Sequence, residues 1–494
     1  MKHFEIERRF LLYPCSVKRF LKSCGIEFDS VDIEQFYLKA QEEEVLRYRR
    51  RGDRYFITLK SGSGLVRSES EKEVSKKEYE AALKRNRGGV VRKRRYLFYS
   101  GGLLFELDSF KKPLKGLNIL EVEFKSEKEA KEFELPKIFK RILVDEVTGN
   151  PTFSNGYISK KMKIPALKTP LSELLKDLAE RKDFSKASVD LSFKPFESSL
   201  HASQSIICSL LETVRYNKDE IVSHTQDQER LHQLRVALRK IRALFSVCKE
   251  LFEPTWLNYH RQRVKELMRK SGSLRDIDVY LSQIDEYKEL LPKKRHEALK
   301  SLESYLLSRQ KIERKRLEEF LLSEEFQKEM QKLEHFAKRE NPEGAGEKGE
   351  DPVIIPLKRA MMKYYRKIVG NGAKIDASSP AHDYHMLRIE VKKLRYLMEF
   401  FHPVFDREAY VQMLGRLKSI QSILGAHQDL DVQREHLREF FSLKELHDEN
   451  TIEALKILRE ELKRLQELKR SEFRKEFKEF LKTKKLFKRV ICKF

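Results

Sequence analysis

The sequence predicts an α+β chain of more than one domain, with a strand-rich N-terminal part followed by an all-helical part. Three observations carry this prediction. The chain has 494 residues, and domains average about 150 residues, so length alone favours several domains. Residues 1 to about 155 form short period-two runs broken by the turn signals RGD, SGSG, RGG and SGG. From about residue 195 onward the texture becomes long, Leu-, Lys- and Glu-rich helical periodicity with few glycines.

Composition bounds the partners. Lys and Arg number 102 against 78 Asp and Glu, a formal charge of +24. Hydrophobic residues still make up 40%, with 31 Phe and 18 Tyr, which excludes a disordered basic tail. The charge points to polyanions: nucleic acid, an anionic membrane surface or phosphate chains. The cysteines, Cys15, Cys24, Cys208, Cys248 and Cys492, are odd in number and widely spaced, with no CxxC pair. That argues against a disulfide framework and a zinc knuckle. The start MKHFEIERRF has no apolar segment of the signal-peptide kind, and no 18-residue apolar run occurs, so a cytoplasmic, soluble protein without membrane partners is expected.

The strand-rich part repeats one design, because alternate side chains of a strand share a face. Glu5, Glu7 and Arg9 share one face, with Phe4, Ile6 and Phe10 opposite. Arg47 and Arg49 follow, then Thr58 and Lys60, then the row Arg67, Glu69, Glu71 and Glu73. Lys93 and Arg95, Glu106 and Asp108, and Glu121 and Glu123 complete seven such segments. A solvated sheet face would be richer in Ser, Thr, Asn and Gln. If the sheet closes, the charges line a polar interior and the apolar alternates face a shell of helices. Like charges about 5 Å apart cost roughly 3 kcal/mol per pair at an effective dielectric near 20. Such an interior suits compensating ions: a polyphosphate on the cations, a hard divalent cation on the carboxylates.

In their order these segments resemble the CYTH (triphosphate tunnel metalloenzyme) family. EIERR is similar to its ExExK signature, and LRYRR, ITLK, RSESEKEV, KRRY, FELDSF, ILEVEF and DEVTG follow in family order over about residues 3–158. Arg9 stands where the family usually has Lys; a guanidinium keeps the charge but not the geometry or titration of an ammonium. The resemblance implies an eight-stranded antiparallel β-tunnel with flanking helices that binds triphosphate compounds with Mg²⁺ or Mn²⁺. It implies Arg47, Arg49, Lys60, Arg67, Lys93 and Arg95 as phosphate clamps and Glu5, Glu7 and Arg9 as catalytic residues. Glu5, Glu7, Glu69, Glu71, Asp108, Glu121 and Glu123 become candidate metal ligands. Any of these carboxylates can instead pair with a tunnel base.

A connector with Pro165 and Pro170 precedes the helical part, and NPEGAGEKGEDPVIIP at 341–356 breaks it. The charged stretches 303–339 and 450–490 read as exposed helices with i,i+4 pairs. Between these features lies an internal repeat. His232, Arg235, Arg239 and Arg242 in HQLRVALRKIR recur 153 positions later as His385, Arg388, Lys392 and Arg395 in HMLRIEVKKLR. The same offset relates Phe252 to Phe405, Gly272 to Gly425, Asp276 to Asp429 and Asp278 to Asp431. Both copies are therefore expected to form one helical unit related by an approximate two-fold. Offsets of 0, 3, 7 and 10 share a helix face, giving a stripe about 15 Å long.

These motifs resemble the CHAD (conserved histidine α-helical) family over about residues 196–440. The resemblance implies two pseudo-symmetric four-helix bundles with a basic groove for inorganic polyphosphate, contacted by the eight stripe residues. The four repeated aspartates are expected to orient the arginines rather than bind metal, since two carboxylates per copy are too few for a cage. The expected organisation is a tunnel domain at 1–160, a linker at 161–195 and a helical domain at 196–494, with halves at 196–340 and 357–494. Two functions stay open: a triphosphatase acting on inorganic triphosphate, with a polyphosphate-binding domain, and a non-catalytic protein targeted to polyphosphate granules. Nucleic acid is suggested by charge alone, without a zinc finger, RNA module or basic zipper. Oligomeric state stays open.

Overall fold

The computed structural model describes residues 3–39, 45–61, 67–223, 227–376, 378–440 and 448–491, without the side chains at 3–5, 39, 45, 60–61 and 67–69. The chain forms two compact units. One holds the residues up to Leu167 with Lys194–Phe196, the other Lys168–Phe193 with Glu197–Val490. No helix among the described residues is long and apolar enough to cross a membrane.

The first unit is built on β1 (His3–Leu12), β2 (Asp29–Lys39), β3 (Val45–Arg51), β4 (Arg54–Ser61), β5 (Arg67–Val74), β6 (Val91–Ser100), β7 (Leu103–Phe110), β8 (Asn118–Phe124) and β9 (Leu143–Glu146). Their order in the sheet is β5-β4-β3-β2-β6-β7-β8-β1-β9. β1 also pairs with β5 through His3↔Glu69, Phe4↔Ser68 and Glu5↔Arg67. β1 to β8 thus close into an antiparallel ring, and β9 lies on the other end of β1, against Phe10–Leu12. The sheet therefore has nine strands, of which eight form the expected tunnel. The charged-row pattern passed over β2, whose inward residues Ile33, Gln35 and Tyr37 carry no charge at neutral pH. Gly101 and Gly102, at φ 60° and 80°, supply the two positive values that the tight β6–β7 hairpin needs.

Helices α1 (Val17–Ser23), α2 (Lys76–Arg85), α3 (Glu127–Glu132), α4 (Lys137–Lys140) and α5 (Asn155–Lys161) belong to this unit. The outward alternates of the strands pack on them, as a closed sheet requires. Phe36 and Tyr48 stack at 5.4 Å, and Tyr79 of α2 meets Phe36 edge-on at 5.3 Å. Phe98, Phe105 and Phe139 of α4 form a second aromatic cluster. Each such ring buries some 150–250 Å², so these clusters hold the helices to the barrel. α5 is held differently: the Gly89 N–H, in the turn before β6, donates to Ser159 O at 3.0 Å.

The second unit is helical: α6 (Leu171–Leu174), α7 (Lys176–Glu180), α8 (Ser199–Val222), α9 (Gln228–Val247), α10 (Pro254–Lys270), α11 (Gly272–Glu289), α12 (Ala298–Leu322), α13 (Glu324–Lys338), α14 (Ile354–Gly372), α15 (Ala381–Phe400), α16 (Arg407–Phe440), α17 (Glu449–Leu481) and α18 (Lys484–Ile491). The 153-residue offset carries α9 onto α15 end for end, and α8 and α12 onto α14 and α17 to within a few residues. It carries α10 and α11 together onto the single helix α16. The break falls at Ser271, whose hydroxyl donates back to the Met268 and Leu267 carbonyls. Side chains that bond backward in this way bend helices. The matching residue in α16 is Leu424, which cannot. Tyr280, Leu302, Leu437, Leu455 and Leu458 belong to a core shared by α11, α12, α16 and α17, which joins the two halves.

A Cβ at Gly89 would come within 2.1 Å of the Met162 side chain and 2.8 Å of Ser159 O. Gly89→Ala is therefore expected to destabilise the first unit by about 1–3 kcal/mol, the usual cost of overpacking. Urea unfolding of the variant beside the wild type measures it.

Candidate functional site

The inward faces of the ring carry the predicted charges, and the structure divides them into two groups. On β6, β7, β8 and β1 they are matched. Arg95 is the hub: its Nε donates to Asp108 Oδ1 at 2.8 Å, and its Nη2 donates to Asp108 Oδ2 and Glu121 Oε2 at 2.7 Å each. Its third arm pairs with Glu106. Lys93 pairs with Asp108, and both side chains are only 1% exposed. Loss of hydration lowers the Lys93 ammonium to about 8, against the pull of Asp108. Glu121 accepts from Arg9 Nε at 3.0 Å, and its flanking arginines hold it well below the ordinary carboxylate range against its burial. Arg9 is also tied to Phe153 O at 3.1 Å, just before α5.

Across the ring, on β3, the cations are less well matched. Arg47 Nη2 reaches Thr58 Oγ1 at 3.0 Å and Glu71 Oε2 at 3.3 Å, and Thr58 donates to the same Glu71 oxygen at 2.8 Å. Arg49 makes no ion pair among the described residues. Burial, with Arg47 and Arg95 nearby, lowers its guanidinium to about 10. Gln35 and Tyr37 of β2 face the same interior, and Asn155 Oδ1 lies 3.5 Å from Lys93 Nζ. None of these three carries a charge, so a search for charged rows had no signal for them.

The candidate metal ligands separate in the same way. Asp108 and Glu121 are engaged by Arg95, Lys93 and Arg9, and Glu71 by Arg47 and Thr58. Glu7 and Glu123 stand directly opposite each other in the β1–β8 register. The side chains of Glu5, Lys60, Arg67 and Glu69 lie outside the described residues. Among the described residues no group of three or more His, Cys, Asp or Glu is arranged to hold a metal ion. Two facing carboxylates nevertheless fit a divalent cation of the Mg²⁺ type. Such ions take one or two protein carboxylates and complete their shell with water and substrate phosphates. Directly opposed like charges on neighbouring strands are destabilising unless a cation stands near them, and Arg95 already acts on Glu7.

In the helical unit α9 and α15 pack together. Arg239 of one stripe lies in the electrostatic field of Arg388 and Lys392 of the other. Several stripe residues are anchored. Arg235 donates to Met268 O at 2.7 Å and Ser271 Oγ at 2.9 Å, and Arg388 lies 3.7 Å from Asp429. Arg395 donates to Glu399 at 2.6 Å, and His385 Nδ1 contacts Gln428 Oε1 at 2.6 Å. Burial and Arg275 push His232 below its ordinary value. Arg242 is exposed. Among the described residues Arg239 and Lys392 make no ion pair. Of the repeated aspartates, Asp429 pairs with Arg388, and Asp276 lies in the field of Arg235. Asp278 and Asp431 do not orient the stripe: they accept from Gln310 of α12 at 2.7 Å and Gln466 of α17 at 3.1 Å, tying the next helices instead.

A ring of strands lined by matched and surplus charge, and a repeated helical unit with paired basic stripes, define two known domain classes. The CYTH domain model matches residues 3–153 and the CHAD domain model residues 205–438. The chain belongs to the CYTH family and carries a CHAD domain behind the CYTH domain. It is similar to an inorganic triphosphatase of Nitrosomonas europaea, 38% identical over 158 residues, which are 31% of this chain and 93% of the relative. The crystal structure of an inorganic triphosphatase is 32% identical with a TM-score of 0.25, over 31% of this chain and 93% of that one. The crystal structure of the CHAD domain from the plant Ricinus communis is 21% identical with a TM-score of 0.49, over 59% and 95%.

Removing Asp108 would leave Lys93 and Arg95 buried with fewer partners. Asp108→Ala is therefore expected to cost about 3–5 kcal/mol of stability, the range for breaking a buried ion pair. Denaturant unfolding of the variant tests this; a loss below 1 kcal/mol would contradict the hub.

Proposed function

We propose that the CYTH domain hydrolyses inorganic triphosphate with a divalent metal, Mg²⁺ or Mn²⁺, and that the CHAD domain binds inorganic polyphosphate. The observation that carries the first part is the division of the tunnel charge. One wall is largely paired with its own carboxylates, while Arg49 on the other makes no ion pair among the described residues and suits a phosphate. The relative's activity as an inorganic triphosphatase supports the same reading. Arg47 and Arg49, with Lys60 and Arg67, take the phosphate oxygens. Glu7 and Glu123, with Glu5, hold the metal. When bound, the metal neutralises developing charge on the phosphate oxygens and lowers the barrier to attack by water. Arg9, Lys93 and Arg95 also set the field and shape of the tunnel, because donors of each are engaged by Glu121, Phe153 and Asp108. We place the tunnel domain at 1–160, the linker at 161–195 and the helical domain at 196–494, in a cytoplasmic protein associated with polyphosphate granules.

The polyphosphate reading rests on Arg239 and Lys392, two cations brought together from the two stripes that make no ion pair among the described residues. Arg388 and Arg395 widen the site while staying anchored.

Phosphate release from triphosphate, ATP and thiamine triphosphate, with and without Mg²⁺ or Mn²⁺, tests the first part. Metal-dependent turnover of triphosphate is expected, and Glu7→Gln with Glu123→Gln should lower it at least a hundredfold by removing metal ligands. Absence of turnover with every substrate leaves the non-catalytic, granule-targeted reading.

Binding of a long polyphosphate tests the second part. Arg239→Ala with Lys392→Ala should weaken it at least tenfold, at about 1.5–3 kcal/mol per charged contact, and spare triphosphate turnover. Burial and the neighbouring Arg388, Arg239 and Arg395 lower Lys392 to about 7, with Asp429 pulling the other way. An anion restores the proton, so binding takes one up above pH 7. The dissociation constant should rise with pH from about 7 upward, by at most tenfold per unit. Lys392→Arg, charged throughout, should flatten that rise.

A further inference from the structure

Gln35 is 0% exposed, on β2, and stands directly opposite Arg49 of β3. Its amide nitrogen donates to the Tyr37 hydroxyl at 2.8 Å. Among the described residues, Gln35 Oε1 and Arg49 Nε are both buried without a hydrogen-bond partner. One is an acceptor and the other a donor, on neighbouring strands at the same level of the tunnel. Unpaired buried atoms are costly, so a complementary pair of them marks a position built for a small polar guest. The guest must donate to an amide oxygen and accept from a guanidinium N–H. A fully ionised phosphate oxygen only accepts, an ammonium group only donates, and a metal ion could take the amide oxygen but cannot accept from the guanidinium. Water does both.

We propose that Gln35 and Arg49 hold the nucleophilic water of the triphosphatase reaction, with Gln35 as a positioning residue. This rests on the tunnel's proposed function. Arg49 can offer Nε–H to the water and its terminal nitrogens to a phosphate, so one rigid planar group sets the distance between nucleophile and phosphorus. A neutral amide suits the task better than a carboxylate, which would pair with Arg49 and draw it off the phosphate. Burial pushes the Tyr37 hydroxyl above its ordinary value, so it stays protonated. In the step itself the water oxygen forms a bond to a terminal phosphorus. The bridging P–O bond breaks, and its electron pair stays on the departing diphosphate. One water proton remains on the orthophosphate and the other passes to solvent.

Gln35→Leu tests this, with kcat, KM and the melting midpoint measured on the full chain with triphosphate and Mg²⁺. A fall in kcat of about ten- to a hundredfold is expected, as for a nucleophile misplaced by about 1 Å, with KM within threefold. If Gln35→Leu does not fold, Tyr37→Phe leaves Gln35 in place and frees its amide to turn, and about a three- to tenfold fall in kcat alone is expected. A raised KM with unchanged kcat would overturn the proposal, since the amide would then touch phosphate. A shifted melting midpoint with unchanged kcat and KM would overturn it as well, leaving a structural role. No turnover by the wild-type chain would overturn both this inference and the function it rests on; wild-type turnover with kcat unchanged in the variants would overturn this inference alone.

Discussion

The interior of the strand ring depends on the Arg95 guanidinium. Closing eight strands around charged side chains brings like charges within a few ångströms of one another, and only paired charges can stay there without water. Arg95 engages three carboxylates on two strands, Glu106 and Asp108 on β7 and Glu121 on β8. A lysine could not do this, because the planar fork presents its donors in fixed and separate directions. Glu121 passes the link to Arg9 on β1, and Arg9 passes it to the Phe153 carbonyl before α5. One relay thus joins four strands and the segment leading into α5. Its contribution lies in specifying the arrangement more than in net stability, since desolvation offsets much of the attraction in a buried pair.

That relay also bears on the binding proposed for the tunnel. Carboxylates committed to Arg95 and Arg9 have less capacity for a metal. Cations committed to carboxylates are less available to phosphate. The helical unit divides its charge by the same rule. Arg235, Arg388 and Arg395 each have an acceptor between 2.6 and 3.7 Å away, whereas Arg239 and Lys392 are set among like charges. The formal surplus of +24 is therefore a poor guide to where anions bind. The local mismatch between cations and carboxylates is a better one.

Much of this was legible in the sequence, because alternation and charge survive any change of register by two. Seven of the nine strands announced themselves through charged rows, and the basic stripes through a constant offset. What stayed hidden was neutral or relational. β2 carries Ile33, Gln35 and Tyr37 inward, a pattern indistinguishable from a half-buried strand in any sheet. The break at Ser271 depends on a hydroxyl bonding backward along its own helix, and nothing in the spacing distinguishes it from Leu424. Asp278 and Asp431 looked like partners of the stripe because they recur with it. Their glutamine donors, Gln310 and Gln466, lie on helices too distant in sequence to be paired with them by eye.

The repeat itself shows which constraint the helical unit cannot relax. Its two copies differ in helix continuity, in Arg239 against Lys392, and in the carboxylate of Glu399 against the hydroxyl of Ser246. Gly272 and Gly425 nevertheless coincide. A Cβ at Gly272 would sit 3.8 Å from Arg235 Nη1, and one at Gly425 would sit 3.9 Å from Arg388 Nε. Either distance accommodates a methyl group at ordinary contact, but a longer side chain would enter the path of the arginine. In one copy the glycine opens a helix and in the other it lies inside one, so helix geometry does not explain its recurrence. The shared requirement is room for an arginine crossing from the stripe helix to its neighbour. That crossing positions the guanidinium in both halves, whatever the helices beneath it do.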